Sequence, residues 1–507
     1  MSNVVRSQLT AITPRIRWLR VSALGFGTVA ATSPFVLYVA LRLPSLWEPH
    51  WYSDEAGYAT TAWLSTHGLV LYQGVWNNKP PLLFWIYDLA LWAFGPSEFG
   101  IHLLSMLAGV LTLLALGLAL QGRVRGRGRV VPMVLAAVLL SVPLLGGDLA
   151  LPENFLIAPE AWGMLLVLQA LERTDGRRLA LAAPLLAAAV LIQQTALAAV
   201  AAALLLIMLR WGPGRVRSAV GLLFLTAAGV LAGVAPYLIW AAPARVWFLL
   251  VASYRQYTVS SLPITAAAML PRAAAGALLL TGAFWRRHDP PIRLLSAVWL
   301  AADLLLYLLP ARPYPHFLLP SVVPACLALA AYWPLARRRW PGWRRAALPA
   351  SGAISAVAWL ALFATNASGL FGGLLTMEYL PLTVGRATGL ATSSQYLGAF
   401  GVTALAEAQA VAFLEAHHLD GESAVVWSAD AWPYLLARLR PILPTPAIYM
   451  DSAWLGEAQL IGRVRTGRPQ LILIAGYAVP AALRTILDSS YRVIERGAGG
   501  ATLWMRR

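Results

Sequence analysis

The sequence predicts a mainly α protein: a polytopic bundle of transmembrane helices, with interfacial helices in its first outer loop and a small extracytoplasmic α/β domain at its C-terminal end. Three observations predict this. Hydrophobic residues make up 59% of the 507-residue chain and charged residues only 12%, with a mean hydropathy of +0.65, so most of it cannot form a water-facing surface. Its apolar residues gather in runs long enough to cross about 30 Å of hydrocarbon. Near residue 377 the pattern changes to short amphipathic helices and strand-like runs.

The formal charge of +17 would suit nucleic acid in a soluble protein. In a membrane protein a basic balance is more often topological, because arginines collect in cytoplasmic loops, and their distribution here excludes a nucleic-acid partner. The single cysteine, Cys326, lies in an apolar run. It rules out disulfides within the chain and argues against cysteine-based metal sites. Of the 39 Lys and Arg residues, Lys79 alone is lysine, a compact ammonium where the chain otherwise uses the planar guanidinium.

Residues 1–20 carry Arg6, Arg15, Arg17 and Arg20, and 21–43 reads as a retained first span rather than a cleaved signal peptide. Further spans are expected at 99–120, 130–147, 155–171, 179–193, 195–210, 218–241, 265–285, 292–309, 317–335 and 346–365, which makes about eleven. Arginine clusters fall on alternate connections: the N-terminus, 123–129, 173–178, 210–217, 286–293 and 337–345. These should be cytoplasmic, which puts the N-terminus inside and the C-terminus outside. The expected organisation is a transmembrane domain over 1–366, with its first outer loop at 44–98, and an extracytoplasmic region over 367–507 holding the α/β domain from about 395. The spans 179–193 and 195–210 meet at Gln193-Gln194-Thr195 and read as a tight hairpin; one long tilted helix would invert every later loop. In the C-terminal region, 395–418 reads as an amphipathic helix, 424–427 and 471–475 as buried strands, and 491–494 and 502–505 as closing strands. No Gly-rich turn joins a strand to a helix there, so no nucleotide-binding loop is expected.

Sorted by side, the outer face holds Asp54 and Glu55, Lys79, Asp148 and Glu153, Arg255 and Tyr257, and Arg312, Tyr314 and His316. Carboxylates and cations at one depth suit displacement of a phosphate leaving group by a hydroxyl. One carboxylate takes the hydroxyl proton while the cations offset charge on the departing phosphate. Each element also has a plainer explanation. Ser53-Asp54-Glu55 could simply charge a helix N-terminus, and so could Glu153; Lys79 could be a snorkelling lysine on lipid headgroups. Arg312-Pro313-Tyr314-Pro315-His316 is harder to explain that way, since two prolines fix its cation and rings where a span re-enters the membrane. Asp303, inside a span, needs a partner, which Arg272 or a facing polar helix could supply.

In that order, Asp54-Glu55, Asn78-Lys79-Pro80-Pro81-Leu82, Pro152-Glu153 and Tyr314-Pro315-His316-Phe317 with Pro320 and Pro324 resemble the C-class polytopic membrane glycosyltransferases. The likeness is to the prokaryotic protein O-mannosyltransferases and the lipid A aminoarabinose transferases (glycosyltransferase families 39 and 83), over about residues 10–365. It implies a plasma-membrane, multi-pass enzyme moving a sugar from a polyprenyl-phosphate donor, with inversion, to an acceptor hydroxyl of a lipid, glycan or protein outside the cytoplasm. It further implies that Asp54 is the general base or an acceptor-orienting carboxylate, with Glu55 beside it, and that Lys79 binds the lipid phosphate. Arg255, Arg312, Tyr314 and His316 match outer positions that help hold that phosphate. Glu153 fits the second acidic site better than Asp148. Some members use a divalent cation and others do not; here Asp54, Glu153 and Asp148 are the carboxylates that could hold one. The rival reading is a transporter or flippase of lipid-linked sugars, which would favour mid-membrane charges and a repeated half. A structural or assembly protein is the third reading.

Overall fold

A computed structural model describes residues 32–310, 312, 314–336 and 378–507. The expected span at 346–365, residues 21–31 of the one at 21–43, and the arginines of the N-terminus and of 337–345 lie outside the described residues.

The described part of the membrane region is helical: α1 (residues 32–42), α2 (Ser53–Thr66), α3 (Pro81–Phe94), α4 (Glu98–Leu120), α5 (Arg127–Leu139), α6 (Pro152–Arg173), α7 (Gly176–Ile192), α8 (Leu197–Arg210), α9 (Arg215–Trp240), α10 (Pro243–Trp247), α11 (Ser253–Trp285), α12 (Pro291–Leu306) and α13 (Val322–Ala336). Among the described residues, α4, α6 and α9 are long and apolar enough to cross a membrane by themselves. Shorter apolar helices cover Pro81–Phe94, Gln194–Arg210, Met269–Trp285 and Val322–Trp333.

Helix α6 sits at the centre, packed on α4 and α7 and buried along most of its length. Gly163 allows the α6–α7 approach, because a Cβ there would come within 3.0 Å of Leu186 Cδ2. Helix α9 is peripheral and turns Val216, Val220, Phe224, Leu231 and Ile239 outward, as a lipid-facing helix should. Helix α3 starts with Pro81 in its first turn. It buries Leu83, Phe84, Tyr87 and Ala90 and exposes Trp85, Leu89 and Trp92, the two-faced pattern of a helix lying at an interface. The chain breaks at Gln193, whose extended backbone (φ −154, ψ 137) separates α7 from a short turn leading into α8. A single long helix across 179–210 is therefore not what forms.

After residue 378 come α14 (residues 378–387), α15 (Ser393–Ala399), α16 (Val402–Ala416), β1 (Ser423–Trp427), α17 (Trp432–Leu436), β2 (Arg440–Pro441), α18 (Ile448–Leu455), α19 (Glu457–Gly467), β3 (Leu471–Ile474), α20 (Ala481–Ser490), β4 (Tyr491–Arg496) and β5 (Thr502–Arg506). The sheet order is β2-β1-β3-β5-β4. β1 runs parallel to β2 and β3, while β5 runs antiparallel to β3 and β4. Both faces are covered: Val425, Trp427, Ile472 and Ile474 pack with Leu460, Val464, Leu483 and Leu487, and Ala424, Val426, Leu471 and Leu473 belong to the cluster with Leu414, Trp432 and Leu435. Continuous apolar runs are what two buried faces require. The helix expected over 395–418 divides at Gly401, whose φ of +125 is open to glycine. The sheet region docks on the first outer loop, with Thr60 Oγ1 donating to the Ala431 carbonyl at 3.0 Å and the Trp76 amide donating to the Pro444 carbonyl at 2.7 Å.

Candidate active site

Where the sheet region meets the helix ends there is a cavity of about 410 Å³, lined by Asp54, Tyr58, Lys79, Glu153, Tyr254 and Arg312 among others. The sequence-predicted residues reach it from separate elements. Asp54 stands in the first turn of α2, where the helix dipole favours a carboxylate, and its Oδ1 accepts from the Tyr449 hydroxyl of α18 at 3.2 Å. Ser53 opens α2 without capping it, since no side chain caps that end. Glu153 occupies the first turn of α6 and accepts from Gln193 Nε2 at 2.8 Å.

Lys79 is fixed through its backbone: its carbonyl accepts from the Tyr72 hydroxyl at 2.7 Å, and its amide donates to Asn77 Oδ1 at 3.3 Å. Its Nζ donates to the Tyr254 hydroxyl at 3.4 Å and lies 6.0 Å and 5.9 Å from the ring centroids of Tyr58 and Tyr254, within cation–π range. Burial works against its charge, but Tyr254, Glu153 and Asp54 outweigh that and hold its pKa above the ordinary value. Burial raises the pKa of Asp54 above its ordinary 3.8, a rise that Lys79 and Tyr449 offset only in part. The result is a more basic carboxylate facing a firmly charged ammonium.

Tyr314, His316 and Arg312 also line the cavity. Tyr314 stacks on His316 at 5.5 Å and 21°. Burial, with Lys79 and Arg272 nearby, pushes His316 down to about 3, so at neutral pH it offers a hydrogen bond and no positive charge.

The structure does not bring Glu55, Asp148 or Arg255 to this cavity. Successive residues on a helix point about 100° apart, so with Asp54 turned into the cavity Glu55 faces away, toward His102 Nε2 at 3.2 Å. By the same geometry Tyr254 faces inward and Arg255 is exposed. Asp148 is buried in the loop before α6, under the influence of Glu48 and Arg42. Asp54, Glu153 and Asp148 therefore do not assemble as a ligand set for a cation: the first two both act on Lys79 and the third lies elsewhere. Asp303 is buried; among the described residues it forms no ion pair with Arg272, and the titratable group that acts on it is the Glu160 carboxyl.

Several lining residues escaped the sequence reading as site residues: Tyr58, Asn78, Gln193, Tyr254, Tyr449 and Trp454. Gln194, next to the helix break, holds the floor together by donating to the carbonyls of Asn78 at 2.8 Å and Leu250 at 3.0 Å and accepting from the Tyr254 hydroxyl at 3.1 Å. The paired glutamines between two apolar runs were the available signal; nothing local marked Tyr449.

The sequence model of the family described as dolichyl-phosphate-mannose-protein mannosyltransferase matches residues 78–240. The fold is similar to that of ArnT from Cupriavidus metallidurans. With the crystal structure bound to undecaprenyl phosphate the TM-score is 0.55 at 16% identity, covering 95% of this chain and 98% of that one. With the apo crystal structure it is 0.56 at 15% identity, over the same shares. An archaeal oligosaccharyltransferase, AglB from Archaeoglobus fulgidus, is more distant, with a TM-score of 0.41 at 14% identity, covering 87% of this chain and 69% of that one. No curated protein sequence matches the chain. The chain thus resembles the C-class polytopic glycosyltransferases, in sequence over part of its length and in fold over nearly all of it.

Proposed function

We propose that this chain is an integral membrane glycosyltransferase that moves a sugar from a polyprenyl-phosphate donor to an acceptor hydroxyl by a single inverting displacement. The observation that carries the reading is that Asp54 and Lys79, distinct in charge and brought from separate elements, line one buried cavity. The acceptor oxygen bonds to the anomeric carbon as its proton passes to Asp54, and the bond from that carbon to the phosphate oxygen breaks, leaving the phosphate on the lipid. Lys79 and Arg312 offset the charge that builds there. Glu153 sustains the charge on Lys79 and orients the acceptor. Two buried acceptors lining the cavity, Asn78 Oδ1 and Gln193 Oε1, lack a hydrogen-bond partner, a state that sugar hydroxyls would relieve.

The cavity faces the extracytoplasmic side of the plasma membrane. Supporting this, the helices that leave it run toward arginines: α6 starts at Glu153 and ends by Arg173, α8 follows Gln194 and ends at Arg210, and α11 starts beside Tyr254 and ends by Arg286. Arginine-rich ends mark the cytoplasmic face. No nucleotide sugar is available on the other face, so a lipid-carried donor fits. The acceptor, whether lipid, glycan or protein, enters beside α18.

Mass spectrometry of lipids co-purifying with the protein is the direct test, and a polyprenyl phosphate, with or without sugar, is expected. Incubation in detergent, where there is no bilayer to flip across, separates transfer from transport. Conversion of polyprenyl-phosphate sugar to polyprenyl phosphate in the presence of cell-envelope extract supports transfer, and an intact donor overturns it.

A further inference from the structure

Behind the cavity, on the far side of α2, Glu55, Glu98 and His102 each offer one ligand atom, all lying within 4.8 Å of one another and all buried. We infer that these three residues bind a divalent cation of the zinc type, at a site separate from the Asp54–Lys79 cavity.

His102 is oriented for it. Its Nδ1 sits 2.7 Å from the Ser45 carbonyl, an acceptor that requires Nδ1 to carry the proton and leaves Nε2 facing the carboxylates. A backbone carbonyl holding the other ring nitrogen is the usual outer support of a metal-binding histidine. Nε2 then meets Glu55 Oε2 at 3.2 Å and Glu98 Oε2 at 3.1 Å. Ligand atoms about 2.0–2.1 Å from a tetrahedral zinc are separated by about 3.3 Å, close to both distances.

A single proton does not engage all three groups at once. On a neutral imidazole, the Nε2 lone pair would point at two carboxylate oxygens. On an imidazolium, the single Nε2 proton has hydrogen-bond geometry toward Glu55, while both oxygens of Glu98, which is 3% exposed, lack a hydrogen-bond partner. Among the described residues no Lys or Arg forms an ion pair with either glutamate. A dication with a neutral imidazole balances the two carboxylates to zero and engages all three groups. Burying an unpaired carboxylate is otherwise expensive.

The ion would act as a staple. Glu55 belongs to α2 beside Asp54, Glu98 and His102 to α4, and the other oxygen of Glu55 accepts from the Ala150 amide, two residues before α6 begins. It would therefore fix the first turn of α2 against the start of α6, setting where Asp54 and Glu153 stand without touching substrate.

The test reads metal and so is independent of glycosyl transfer. Full-length protein in detergent is equilibrated with Zn2+, freed of excess, and assayed by inductively coupled plasma mass spectrometry. About one zinc per chain is expected, with at least a tenfold loss in Glu98→Gln and none in Asp54→Asn. A wild-type protein that retains no zinc overturns the inference, as does a Glu98→Gln protein that retains as much as wild type. Should Glu98→Gln fail to fold, wild type alone decides: Zn2+ must raise its melting temperature and a chelator must lower it, and the absence of both shifts overturns the site.

Discussion

At the scale of the residue, the proposed transfer depends on one carboxylate being basic and one ammonium staying charged. Asp54→Asn keeps the shape and removes the base, so turnover in membranes should fall about 100- to 10,000-fold at unchanged expression; wild-type turnover would remove the assignment. Because burial raises the pKa of Asp54, the proton-accepting form is lost as pH falls through a value above its ordinary 3.8. The acid limb of the rate profile should therefore lie above pH 3.8, and an acid limb at or below that value would contradict the environment described. Lys79→Ala should raise the donor KM more than the acceptor KM, and Lys79→Arg should restore little, because a planar fork does not fit between the Tyr58 and Tyr254 rings as a point charge does. Equal changes in the two constants would dissociate Lys79 from the phosphate. Asp54 was legible as a carboxylate soon after the first apolar run, and Lys79 as the one lysine among 39 Lys and Arg residues. Glu55 stands beside Asp54 in sequence, but on a helix neighbours go to different faces; Arg255, expected in an outer loop, stands on α11 with its side chain exposed. Tyr449 was illegible, since its partner, Asp54, is 395 residues away.

Element by element, sequence and structure agree where the physics is local. Apolar runs became α4, α6 and α9, and four-residue apolar runs became β1 and β3, because burial on both faces leaves no alternation to read. Boundaries moved where one residue's backbone decided: Gly401 split the amphipathic helix, and Gly456, at φ +74, separated α18 from α19. Two-residue β2 carried no periodic signal at all. The break at Gln193 was visible as two amides amid Ala and Leu, but its use, holding Glu153, depends on packing between helices. Close approach makes its own prediction: Gly163→Val should lower the melting temperature of the purified protein, costing about 1–3 kcal/mol of overpacking, since Leu186 lies 3.0 Å from the added Cβ. Gly221→Ala on α9, with nothing within 4 Å, should not lower it, since alanine is the better helix former.

For the whole molecule, orientation follows from charge. A tag after Arg507 should react with impermeant reagents on intact cells, and labelling only after lysis would invert every connection. Away from the membrane, the sheet region carries its own pH response. Burial pushes Asp430 up to about 6, and Glu407, which accepts from Ser428 at 2.6 Å, is raised further by burial and by Asp430. Acids with raised native values bind protons more tightly folded than unfolded, so their contribution to stability is fully present below about pH 4, the unfolded value, and is lost as pH rises through about 6. Protection factors of the β1 amides against hydrogen exchange should fall over that range in wild type and much less in Glu407→Gln. The Tyr449–Asp54 hydrogen bond also sets a timetable for the growing chain. The ribosome must deliver almost nine-tenths of the polypeptide before Tyr449 can reach Asp54, so a shorter nascent chain holds the first turn of α2 without the cover that α18 provides.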